Sequence, residues 1–227
     1  MSENSAKSEK LVVVFDYDDT LTADTERKKQ GIFVEIFRDL GVDLTVVEDF
    51  VLSHPGMPRK EMVAGSLEVL AKAGYIQDPQ AHQEQYLQRF AQFAEDMAVA
   101  APLRPGALEA LQALQQWPVY LLSGNPQEAL ERIVARREWN HLFRGIYGTS
   151  TGSKIEHLAT ILRVEGVSPE RLVVVGDGTS DLRAAEAHGC RFIGVRGVLT
   201  SFPPDVAFPI LENLSSLPSV VADVVGD

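Results

Sequence analysis

The 227-residue sequence predicts an α/β fold: a Rossmann-like parallel sheet core, split after its first strand by an all-helical cap domain. Three observations carry that reading. Apolar runs rich in β-branched residues occur at residues 11–15, 119–122, 172–175 and 192–195, and such runs read as buried parallel strands. From residue 101 onward these runs alternate with helical patterns, which is the signature of βαβ units. Between residues 22 and 100 the apolar spacing is helical throughout, with no convincing strand.

Residues 1–10 read as a floppy polar tail. The first strand runs to about Asp16. Ile32, Phe33, Ile36 and Phe37 then fall at helical spacing, and Gly41 reads as the C-cap of that helix. Residues 54–58, His-Pro-Gly-Met-Pro, form a loop by their composition. A second helix is expected from about Arg59 to Ala73, closed by Gly74. Tyr86, Phe90, Phe93 and Met97 mark a third, whose stripe reads as helix–helix core. The core domain is therefore expected at residues 11–21 and 101–227, with the cap at 22–100. An insertion at the carboxyl end of a strand lies over the ligand site, as a lid.

Beyond the insertion, Pro105-Gly106 opens a helix carrying Leu108, Leu111 and Leu114, and Trp117-Pro118 stops it. The strand at 119–122 ends in Ser123-Gly124-Asn125-Pro126. There Asn125 is expected as N-cap, Pro126 at N1 and Glu128 at N3 of the next helix. Ser153 and Glu156 form a capping-box pair. The strand at 172–175 ends in Gly176-Asp177-Gly178-Thr179-Ser180-Asp181, and a helix leads from there to Gly189. The stretch from Thr200, with Pro203-Pro204, is expected to supply an edge element and a short helix.

Composition narrows the function classes. Hydrophobic residues make up 45% of the chain and charged residues 23%, so a sizeable core is available. A net charge of -11 argues against nucleic acid or an anionic membrane as partner. A single cysteine, Cys190, excludes an internal disulfide framework and a multi-cysteine zinc site. The first ten residues lack the apolar region of a secretory signal, and no apolar run reaches the length of a membrane span. A cytoplasmic protein, monomeric or homodimeric, is expected.

The chemistry gathers at strand ends, where open α/β sheets place their ligands. The first strand presents Asp16 and Asp18, and the third Asp177 and Asp181. Four acids at two strand ends make a hard, oxygen-rich site of the kind Mg²⁺ prefers. The second contributes Ser123 and the backbone amides of Gly124 and Asn125. Lys154 falls at N1 of a helix, where a cation opposes the helix dipole, and a local rule broken without evident gain points to function. Such an assembly suits phosphoryl transfer: Asp16 attacks phosphorus, while Asp18 protonates the leaving oxygen and then deprotonates water.

These residues also carry a family resemblance. Asp16-Tyr17-Asp18-Asp19-Thr20-Leu21, Ser123, Lys154 and Gly176-Asp177 to Asp181 match, in order, four motifs of the haloacid dehalogenase superfamily, in its phosphatase branch. The resemblance implies a Mg²⁺-dependent phosphatase acting on a small phosphorylated metabolite. Asp16 would be the nucleophile and Asp18 the acid/base, with Ser123 and Lys154 on the phosphoryl group. The metal would be held by the Asp16 carboxylate, the Asp18 backbone carbonyl and Asp177, with Asp181 in support. The insertion resembles the helical cap of phosphoglycolate phosphatase-like and β-phosphoglucomutase-like members, and Arg59 resembles a cap-loop contact to substrate. Asp19 departs from the family's usual glycine. Residues 27–29 are Arg-Lys-Lys, where mutases carry a histidine. A phosphotransferase and a catalytically idle binding module are the competing readings. Among the five histidines, only His54 lies beside the cap loop.

Overall fold

The computed structural model describes residues 10–197, 202–203 and 205–226, with the side chains of Glu26 and Arg27 excepted. The polar tail at 1–9, Thr200 and Pro204 lie outside the described residues. The described residues up to Asp24 and from Ala101 onward make one compact unit, and Thr25–Ala100 make another.

The first unit is built on a parallel sheet of strands β1 (Val12–Phe15), β2 (Val119–Leu122), β3 (Gly145–Tyr147), β4 (Leu172–Gly176), β5 (Arg191–Val195) and β6 (Ile210–Leu211). Their order is β3-β2-β1-β4-β5-β6, all parallel. Val13 faces Val119 on one side and Val173 on the other, so β1 is central. Every residue of β1, β2 and β4 is buried, as expected of strands covered on both faces. The strand order reverses at β1, with β2 and β3 on one side and β4, β5 and β6 on the other, and such a reversal opens a crevice at the carboxyl ends of the central strands.

The second unit is helical: α1 (Thr25–Glu35), α2 (Thr45–Ser53), α3 (Arg59–Lys72) and α4 (Pro79–Ala100). Ile36, Phe37, Val47, Met62, Val63, Leu67, Tyr86 and Phe90 share its core. Two expectations need correction here. The first helix stops at Glu35, and Gly41, at φ 63°, closes a separate 3-10 turn at Arg38–Leu40 instead. Helix α2 was not anticipated: Val46, Val47, Phe50 and Val51 fall at helical spacing, but the run is short and three of the four are β-branched, a type that favours strands.

The remaining helices flank the sheet: α5 (Ala107–Ala113), α6 (Gln127–Arg136), α7 (Lys154–Glu165), α8 (Thr179–His188) and α9 (Leu217–Gly226). Leu158 and Ile161 of α7 and Ala184 and Ala185 of α8 pack on Val12, Val14, Leu172 and Val174. Strand β6 and α9 supply the edge element and short helix expected near the carboxyl end. Strand β3, three half-buried residues beginning with a glycine, was not anticipated.

Helix α7 begins as its sequence dictates. The Ser153 hydroxyl accepts from the Glu156 amide at 3.3 Å, and the Glu156 carboxylate accepts from the Ser153 amide at 2.8 Å. That box sets the rotation at which Lys154 leaves the helix. Ser153→Ala is expected to lower the unfolding free energy by about 1 kcal/mol, read as a fall in the urea midpoint at unchanged slope.

Candidate active site

Asp16 follows β1 directly, and its amide still donates to Val175 of β4 at 2.9 Å, continuing the ladder. The chain then turns tightly. The Tyr17 carbonyl accepts from the Leu21 amide at 3.1 Å, the Thr22 amide at 3.2 Å and the Thr22 hydroxyl at 3.1 Å. Asp19 sits inside this turn at φ 52°, the left-handed region that glycine enters freely and Asp and Asn tolerate better than most residues. The departure from the family's usual glycine is thus one that the backbone accepts.

Arg104 holds the turn from the other side. Its Nε donates to the Thr20 carbonyl at 3.1 Å, one Nη to the Asp19 carbonyl and the other to Glu212 at 3.1 Å. Its guanidinium is buried, which lowers its pKa against the opposing pull of Asp177, Asp19, Glu212 and Asp24. Sequence reading missed Arg104, because its partners are backbone carbonyls 84 or more residues away.

Asp177 and Asp181 come from the carboxyl end of β4 and the first turn of α8. The Thr20 hydroxyl reaches the Asp177 carboxylate at 3.4 Å. Asp181 accepts from the Gly178 amide at 3.2 Å. Gly176 makes room for it: a Cβ there would lie 2.5 Å from the Asp181 Cγ. Lys154 completes the group, its Nζ lying 2.8 Å from the Asp16 carboxylate and 2.6 Å from that of Asp181.

The charges in this group do not balance. Burial pushes the Asp16 carboxyl well above the usual carboxylate range; Lys154 pulls it back, while Asp181, Asp177 and Asp18 add to the rise. Burial disfavours the Lys154 ammonium too, but Asp16 and Asp181 outweigh it and hold its pKa above the ordinary value. Carboxylate oxygens of Asp16, Asp177 and Asp181 lie within 4.8 Å of one another. Three buried carboxylates sharing one ammonium are short of positive charge, and an all-oxygen donor set of this kind fits a hard divalent cation such as Mg²⁺.

The Asp18 carboxylate is turned elsewhere. Its Oδ2 accepts from the Asn125 side-chain amide at 2.8 Å. The same amide nitrogen donates to the Ser123 hydroxyl at 3.0 Å, and the Asn125 backbone amide approaches that hydroxyl at 3.2 Å. Asn125 is therefore not the N-cap expected of it: Pro126 occupies that position and α6 starts at Gln127. An Asn-Pro pair has the same local pattern either way, and the deciding partner is 107 residues distant. Ser123 is anchored by its amide to the Tyr147 carbonyl at 3.0 Å, and Gly124 is exposed beside it.

Arg59 belongs to the helical unit, in the first turn of α3, with its guanidinium 4.7 Å from the Phe90 ring centroid. His54 closes α2, its Nδ1 2.8 Å from the Phe50 carbonyl.

Comparison with known proteins identifies the family and the fold. Residues 11–189 match the model of the haloacid dehalogenase-like hydrolase family. A phosphoglycolate phosphatase 1 of Pseudomonas aeruginosa is 25% identical over 198 residues, covering 79% of this chain and 67% of that protein. A phosphoglycolate phosphatase of Pseudomonas putida is 27% identical over 128 residues, 52% of this chain and 47% of that protein, so the chain spans about half the length of this relative. Among solved structures, a haloacid dehalogenase-superfamily hydrolase of Geobacter sulfurreducens superposes with a TM-score of 0.70 at 16% identity, covering 94% of this chain and 99% of that one. CbbY of Rhodobacter sphaeroides, in complex with phosphate, gives 0.66 at 23%, covering 91% and 95%.

Two outcomes follow from the charge imbalance and the close packing. The native Asp16 carboxyl binds its proton more tightly than the unfolded chain does, so ionised Asp16 weakens the metal-free fold above its raised pKa. That penalty fades as the pH falls through this pKa. Without metal, Asp16→Asn should unfold at higher urea than wild type at pH 8, with the gap narrowing on acidification. Gly176→Ala should push Asp181 from its seat and lower the unfolding free energy by about 1–3 kcal/mol, measured as a fall in the urea midpoint.

Proposed function

The chain belongs to the haloacid dehalogenase-like hydrolase family, and from that premise we propose that it is a Mg²⁺-dependent phosphatase of small phosphorylated metabolites. The observation that carries this reading is the buried group of Asp16, Asp177 and Asp181 sharing Lys154, with Asp18 held apart on Asn125. The division separates a carboxylate poised to attack from one poised to move protons.

In the proposed mechanism the Asp16 carboxylate attacks phosphorus. An oxygen–phosphorus bond forms on Asp16 as the ester oxygen–phosphorus bond breaks, and the leaving oxygen takes the Asp18 proton. Water then attacks the aspartyl phosphate and gives a proton to the Asp18 carboxylate. Inorganic phosphate leaves, and both acids return to their starting states. Lys154, the Ser123 hydroxyl and the Gly124 amide would bind the phosphoryl oxygens. Mg²⁺, held by the Asp16 carboxylate, the Asp18 backbone carbonyl and Asp177 with Asp181 in support, would neutralise charge between nucleophile and phosphate when bound. The unit at 25–100 would act as a cap, with Arg59 as a substrate contact. Because two relatives are named phosphoglycolate phosphatases, phosphoglycolate is the first substrate to try.

A panel of phosphorylated metabolites, assayed for phosphate release with Mg²⁺ and with a chelator, tests the reading. Hydrolysis is expected only with the metal, and Asp16→Asn should lower kcat/KM by at least about 10³-fold. Equal turnover by wild type and Asp16→Asn would remove Asp16 as nucleophile. Transfer to a sugar outpacing transfer to water would favour a mutase.

A further inference from the structure

We propose that Asn125 is a positioning residue that orients the acid/base carboxylate of Asp18, rather than a ligand of the phosphoryl group. The inference rests on the phosphatase reading above.

An asparagine side chain has two donor hydrogens, both on Nδ2. One is committed to Asp18 Oδ2 at 2.8 Å and the other is directed at Ser123 Oγ at 3.0 Å. The amide is oriented with Nδ2 toward both acceptors, the Asp18 carboxylate and the Ser123 hydroxyl. With both hydrogens engaged inside the protein, this nitrogen has none left for a phosphoryl oxygen. Asn125 is buried, so its contacts are neither screened nor replaced by water. Asn125 also stands one residue before Pro126, whose ring narrows the backbone freedom of the residue preceding it.

The consequence for Asp18 is geometric. With Oδ2 tied to a neutral amide donor, the other oxygen is the one that exchanges a proton with the leaving group. The Asn125 amide is an uncharged donor, so it contributes direction to the carboxylate and no net charge. Ser123 is oriented separately: its hydroxyl also accepts from the Asn125 backbone amide at 3.2 Å, a bond that a side-chain substitution leaves in place. Removing the Asn125 side chain therefore strikes proton delivery more than phosphoryl binding.

Leaving-group dependence reads that difference. The quantity compared is kcat/KM, which covers the steps up to transfer of the phosphoryl group to Asp16. An alkyl phosphate needs its leaving oxygen protonated; 2,4-dinitrophenyl phosphate does not. For Asn125→Ala the loss on the alkyl ester is expected to be about 10–100-fold and to exceed the loss on the dinitrophenyl ester by at least about tenfold. Asn125→Leu keeps the volume without the donor and should show the same selective loss, which protects the test against a packing artefact in either variant. Equal losses on the two esters in both variants would overturn the proposal. So would a tenfold rise in the inhibition constant of inorganic phosphate that accounts for the whole loss. Wild type active on both esters with equal losses in the variants would sink this inference alone. Wild type inert toward both would sink the phosphatase reading and this inference with it.

Discussion

The bridge from Lys154 to Asp16 and Asp181 is the interaction on which the rest of the site depends. Asp16, Asp177 and Asp181 come from two neighbouring strand ends, and each is buried. Carboxylates gathered in this way repel unless a cation is set among them. One ammonium cannot neutralise them all, so the fold keeps an electrostatic debt at the crevice. Local structure is bent to that end. A lysine stands at the first position of α7, against the helix dipole, and a capping box offsets the cost. Gly176 gives up its side chain so that Asp181 can approach the end of β4.

Around this charged centre lies a second set of contacts made by uncharged donors or to backbone carbonyls. Asn125 holds Asp18 and Thr20 reaches Asp177. Arg104 directs its hydrogen bonds to the carbonyls of Asp19, Thr20 and Glu212. The contacts of Asn125 and Thr20 fix direction without cancelling charge. The acids thereby keep the excess that a divalent cation and a phosphoryl group would meet together.

What the sequence made legible follows from the range of the interactions concerned. Fully buried strands announce themselves through continuous apolar residues, and the runs that form β1, β2, β4 and β5 are all of this kind. Asp16, Asp177, Asp181 and Lys154 were readable because strand ends and helix starts are local features with chemical meaning. Strand β3 offered only three half-buried residues, and its pairing with β2 is a tertiary fact. Helix α2 is short and β-branched, and is held by the core of its own unit. The roles of Asn125 and Arg104 were hidden for a different reason. A side chain's chemistry is visible in sequence, but its partner a hundred residues away is not.

The way the chain leaves and re-enters its first unit has a consequence for how such proteins diversify. Thr22 and Leu103 form an antiparallel bridge, Ala23 donates to Pro102 at 2.9 Å, and Arg104 donates to Leu21 at 3.0 Å. The two ends of the inserted segment are thus hydrogen-bonded to each other before the insertion begins. To the sheet, the 76 residues from Thr25 to Ala100 are the contents of one closed loop. Loop-closure entropy grows only with the logarithm of length, so the core is nearly indifferent to what that loop contains. The seam lets the insert be exchanged for another while the acids at the strand ends stay where they are.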